Sequence, residues 1–79
     1  MYTLKESDGS HEVLGRSTGN RQNEADGSFW ITGWSQQTQS SVSKGGFYTL
    51  IFPDTHSNSV EALQIGGAGM GGIRFKFAG

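Results

Sequence analysis

GGAGMGGIRFKFAG, residues 66–79, carries a G-x-G-x-x-G spacing at Gly67, Gly69 and Gly72 and then a strictly alternating run. In that run Ile73, Phe75 and Phe77 point one way and Arg74 and Lys76 the other, as in a half-buried strand. A dinucleotide-binding loop needs a helix after its glycines, to hold the pyrophosphate, and an acidic residue about 20 positions on. Here a strand-like segment follows, and it contains no acid. A Walker A loop needs Gly-Lys-Ser/Thr, which is absent. The kinase-type glycine loop does lie between strands, but it works with a lysine strand and two functional aspartates in a far larger domain. The stretch therefore predicts a loose hairpin connection or bulge feeding an edge or interface strand. Its glycines supply positive φ or close backbone approach. A strand pair here, in place of a strand–helix unit, points to an all-β chain.

The preceding segments agree. VEALQI (60–65) is the partner strand. FYTLIF (47–52) is the most hydrophobic run and is apolar on both faces, which predicts a central strand buried on both sides, ended by Pro53. DTHSNS (54–59) is a turn by composition. In FWITGW (29–34), alternation puts Phe29 and Ile31 on one face and Trp30, Thr32 and Trp34 on the other. YTLK (2–5) and HEVL (11–14) flank Ser7-Asp8-Gly9-Ser10, and the Asp-Gly pair predicts a hairpin over 2–14 with a type I′ turn. GRSTGNRQNEADGS (15–28) and SQQTQSSVSKGG (35–46) read as flexible polar loops, the first with room for a short edge strand. No window predicts an amphipathic helix. The expectation is one all-β domain over residues 1–79: a small antiparallel sheet, sandwich or barrel-like, of five to seven short strands with long polar loops.

With 79 residues, 33% of them hydrophobic, the chain has little material for a core. Domains of this size usually carry a staple. The absence of cysteine removes disulfides and zinc–thiolate sites, and the two histidines do not make a protein-only metal cage. Self-association or docking on a partner is the expected staple. A net charge of −1, with both signs scattered, argues against a nucleic-acid footprint. No segment reads as a signal peptide, and no apolar run reaches the roughly 20 residues of a membrane-spanning helix.

The best functional signal is aromatic. Trp30, Trp34 and Tyr48 sit among Ser, Thr, Asn and Gln, the composition of a binding face on which a protein or a sugar ring can rest. The same rings equally suit a core or a subunit interface. Arg74 and Lys76 offer a basic face for an anion or an acidic partner, or serve as solvated strand residues that discourage edge pairing. Asp54 with His56, and His11 with Glu12, set a carboxylate beside an imidazole. Neighbours in a strand point to opposite faces, so the second pair is poorly placed. The first lacks a nucleophile elbow to serve. The residues therefore predict a non-enzymatic protein with no cofactor and no metal.

From Asp26 onward the order of features resembles a known family. Asp26-Gly27-Ser28-Phe29-Trp30-Ile31 resembles an opening glycine–aromatic strand, and Gly46 to Phe52 a central strand. Val60 to Ile65 resembles a strand with an apolar-Gln-Ile element, and Ile73-Arg74-Phe75 the arginine strand after a short turn, with Arg74 one place early. Together they are similar to the knob-like repeats of phage tail fibres and tail-derived bacteriocin fibres. The resemblance implies a trimeric, non-enzymatic module on a virion or outside the cell, recognising a host surface glycan or protein. The alternative expectation is a small phage or mobile-element protein that binds and blocks a host defence protein in the cytoplasm.

Overall fold

The computed structural model describes residues 1–10, 12–67 and 71–78. Its elements in chain order are strands β1 (Tyr2–Glu6), β2 (Val13–Ser17), β3 (Arg21–Asn23) and β4 (Phe29–Ile31), helix α1 (Gln36–Ser41), then β5 (Phe47–Ile51), β6 (Ser57–Gly67) and β7 (Gly72–Phe77). The seven strands form one antiparallel sheet in the order β2-β1-β5-β6-β7-β4-β3. The expected all-β class and strand number are thus found, with loops that are shorter than the sequence suggested.

The two outermost strands, β2 and β3, are separated in the chain by Thr18, Gly19 and Asn20 alone. They are two halves of one bent strand. Ser17 pairs with Tyr2 on β1, and its Oγ donates to the carbonyl of Thr32, just beyond β4. Asn20 N–H donates to Thr32 Oγ1 at 3.0 Å, and Thr32 N–H to the Asn20 carbonyl at 3.0 Å. The bend therefore ties the two ends of the sheet together and curls it. Strands that change neighbours at a bend are how orthogonal β-packings turn corners. The molecule's extents, 31 × 26 × 25 Å, are nearly equal, as a curled sheet requires. Bulges at Leu63 and Gly66 interrupt the pairing of β6 with β7 and let this 11-residue strand bend with the sheet.

The interior is filled by alternate residues. Leu4, Phe29, Ile31, Leu50, Val60, Ala62, Ile73 and Phe75 have no solvent exposure within the single chain. Phe29 lies opposite Phe75, and Ile31 opposite Ile73, so these four residues face inward as predicted, whereas Phe77, expected on the same inward face, is 45% exposed at the strand end. β7 is an inner strand between β6 and β4, not an edge.

Several expectations are corrected. β5 is buried on one face only, and Phe47 on its outer face is 60% exposed, because a curled sheet has a single interior. The 15–28 segment holds the end of β2 and, as the short edge strand it had room for, β3; its polar residues are tolerated because both halves of the bent strand are sheet edges. The 35–46 segment holds α1. Ser35 caps it by accepting a hydrogen bond from Thr38 N–H, and Thr38 Oγ1 donates to the Leu14 carbonyl on β2. A helix of six residues anchored by one threonine has no hydrophobic periodicity to read. In the first hairpin neither Asp8 nor Gly9 has positive φ, so the turn is not type I′. Asp8 Oδ1 instead accepts from Ser10 N–H and Ser10 Oγ, a side-chain-built turn.

Candidate functional site

The sheet has two ends. Glu6 pairs with Tyr48 and Thr3 with Ile51, so Tyr48 and the residue after Ile51, Phe52, lie at opposite ends of β5.

At the Tyr48 end α1 and its flanks form a lid. Trp34 is 3% exposed within the core, and its backbone N–H donates to the Gly71 carbonyl at 3.1 Å. Its indole Nε1 is buried without an acceptor among the described residues. Tyr48 is 5% exposed, and its hydroxyl accepts from Ser43 N–H at 2.8 Å. Both residues belong to the core. Trp30 does not share their side. Gly33, at φ 86°, turns the chain after Thr32 and breaks the alternation that predicted a common face for Trp30 and Trp34. Trp30 lies on the outer face of β4, only 9% exposed, because its ring rests on Gly67 and Gly72 of the last hairpin. The three predicted binding aromatics are therefore not a surface group in a single copy.

The glycine stretch is explained by the same contact. Gly67 pairs with Gly72, and a strand follows, where a phosphate loop would need a helix. Gly66 and Gly71 have positive φ, whereas Gly67 and Gly72 give room to an indole. Gly69 lies outside the described residues.

The predicted basic face is found on the outer side of β7, but its charges are engaged. Arg74 Nη2 contacts Asp26 Oδ2 at 2.8 Å, and its Nε donates to Ser28 Oγ at 2.8 Å. Lys76 lies 3.5 Å from Glu61. Hydrogen bonds from the Ser28 hydroxyl and backbone N–H, with the Arg74 charge beside them, hold the Asp26 carboxyl below its ordinary range. The sign follows directly. An aspartate whose folded-state pKa lies below the unfolded value of about 3.9 stabilises the fold above that pH. That contribution is lost as pH falls through the folded-state value. Asp26→Asn is expected to lower the urea midpoint at pH 7, with a smaller gap from wild type at pH 3. A gap that is as large at pH 3 would refute the assignment.

Asp54 and His56 do come together. His56 Nδ1 lies 2.9 Å from Asp54 Oδ2, and His56 N–H donates to Asp54 Oδ1 at 3.1 Å. These bonds also lower the Asp54 carboxyl. The pair is well exposed, and Thr55 between the two residues has φ 73°, an uncommon conformation for a β-branched side chain. His11 lies outside the described residues. Among the described residues no cleft encloses a ligand, no cluster of three metal-ligating side chains occurs, and no helix is long and apolar enough to cross a membrane.

The opposite end, which the sequence reading missed, gathers Tyr2 from the start of β1, Phe29 from the start of β4, Phe52 after β5 and Phe77 from the end of β7. Phe29 and Phe77 centroids are 5.0 Å apart, Tyr2 and Phe52 5.7 Å, Phe29 and Phe52 6.0 Å, and Phe52 and Phe77 6.1 Å. Arg21 lies over this cluster. Its guanidinium carbon is 4.6 Å from the Phe29 ring centre, 5.2 Å from that of Phe52 and 5.9 Å from that of Phe77. Nε donates to Asn23 Oδ1 at 2.8 Å. Phe77 is 45% exposed. Nothing in the local sequence marks Arg21, since the three rings beneath it come from three other segments. The available signal is that each of these rings sits at a strand end. Comparison of the chain with protein-family models, curated proteins and solved structures finds no match.

Proposed function

We propose that the chain is a non-enzymatic binding module whose partner is a protein. The observation that carries this reading is the distribution of aromatic surface. Trp30, Trp34 and Tyr48, which the sequence offered as a face for a protein or a sugar ring, or else as core, are 9%, 3% and 5% exposed, whereas Phe47 and Phe77 are 60% and 45% exposed. Sugar stacking needs open ring faces. Exposed phenylalanine, with an arginine beside Phe77, has the composition of a protein interface core.

Two settings fit such a module. In a trimeric fibre tip, as in the tail-fibre knobs that the sequence resembles, Phe47 and Phe77 would contact neighbouring copies and leave the polar loops to meet the host. In a small blocking protein the same rings would meet a host protein directly, from a monomer or dimer. Light scattering separates the settings. A glycan array run beside a pull-down from bacterial lysate tests the function itself. The expected result is capture of a protein that rebinds after purification, with no glycan signal. Glycan binding without any such protein would overturn the reading.

A further inference from the structure

We propose that the aromatic end is the partner-binding surface and that Arg21 receives a carboxylate from an acidic, apolar-flanked segment of a protein. This rests on the protein-binding reading and gives it a site and a chemistry.

The argument begins with the charge. Arg74 and Lys76 face Asp26 and Glu61, whereas Arg21 has no ion pair among the described residues. Its Nε is held by Asn23, which leaves the terminal nitrogens of the fork without an acceptor among the described residues. A guanidinium presents paired donors that match a carboxylate in bidentate geometry.

The second element is preorganisation. Arg21 lies across the rings of Phe29, Phe52 and Phe77 and is tethered at Nε. Much of the side-chain ordering that binding would otherwise require is already done in the free protein. The same rings place an apolar surface beneath an otherwise exposed guanidinium, so a segment that covers the rings also shields the new ion pair from water and strengthens it.

The third element is the surrounding ground. Phe77 is 45% exposed, and Phe52 and Tyr2 are partly exposed beside it. A side chain next to the incoming carboxylate would thus find aromatic surface within reach. Arginine among aromatic rings is the composition in which binding energy concentrates at protein interfaces. A bare phosphate would use the fork and leave the rings idle, so the geometry favours a peptide segment.

The test is peptide-display selection on the immobilised full chain. The expected result is enrichment of sequences with Asp or Glu next to an aromatic or aliphatic residue. Synthetic copies should lose at least tenfold in affinity when the acid is replaced by its amide. They should lose as much on the variants Arg21→Met and Phe77→Ser, and nothing on Lys44→Ala. Arg21→Met keeps an apolar cover over the rings, so the loss is separable from unfolding, which circular dichroism checks. Arg21→Lys should fall between, since it keeps the charge without the fork. Enriched peptides that bind Arg21→Met as well as wild type would overturn the site and leave the protein-binding reading standing. Enrichment of peptides without an acid, no enrichment at all, or equal displacement by inorganic phosphate would overturn the carboxylate assignment.

Discussion

Gly19→Ala is expected to remove most of the stability of this protein, although it adds one methyl group in a polar segment far from the main hydrophobic runs. A Cβ at Gly19 would lie 2.0 Å from the Thr32 carbonyl oxygen and 2.5 Å from its carbonyl carbon. These are backbone atoms, so no rotamer change relieves the clash. The bend must open, and with it the bonds that join Asn20 and Ser17 to Thr32. Overpacking alone costs about 1–3 kcal/mol. Each backbone or hydroxyl hydrogen bond lost adds about 1 kcal/mol. Total stability near 0.05–0.15 kcal/mol per residue leaves little beyond that loss in so short a chain. The melting temperature should fall by more than about 12 °C, at about 4–8 °C per kcal/mol for a domain of this size. Gly9→Ala is the control, because nothing lies within 4 Å of its added Cβ and its φ is not positive. It should change stability by less than about 0.5 kcal/mol. A Gly19→Ala protein that melted with wild type would show that the two ends of the sheet do not meet at Thr32.

That the closure depends on a glycine in GRSTGNRQNEADGS explains why it was hard to read in advance. Strand periodicity was legible wherever one face meets the core, as in Ile73-Arg74-Phe75 and Phe29-Trp30-Ile31. β3, by contrast, is exposed at all three positions and leaves no pattern. α1 went unread for a similar reason, since Thr38 is the one buried residue of this six-residue helix. Trp34 was assigned to the wrong face because alternation assumes an unbroken strand, and Gly33 at φ 86° breaks it. The aromatic end was illegible for another cause. Tyr2, Phe29, Phe52 and Phe77 are scattered along the sequence, and each looks like an ordinary strand-end residue. Only the order of the strands gathers them, with Phe29, Phe52 and Phe77 under Arg21.

A double-mutant cycle on Trp30 and Gly67 is expected to show strong coupling, and it bears directly on the G-x-G-x-x-G spacing. A Cβ at Gly67 would fall 2.1 Å from Trp30 Cη2 and 2.5 Å from Cζ3. The indole is rigid and only 9% exposed, so Gly67→Ala should cost about 1–3 kcal/mol in the wild-type protein. Trp30→Leu alone should also be destabilising, by up to about 3 kcal/mol, since it uncovers the face of the last hairpin. Together the two substitutions should cost less than their sum by about 1–3 kcal/mol, because the leucine vacates the space that the new methyl needs. Urea denaturation of the four proteins measures this. The phosphate-loop reading predicts the opposite pattern: Gly67→Ala would be nearly silent for stability in the absence of nucleotide and would not respond to residue 30. Strictly additive energies would remove the indole as the reason for Gly67. Coupling of the expected size would mean that this glycine is required by a tryptophan on β4, across the intervening β7, a contact that the spacing of the motif alone cannot express.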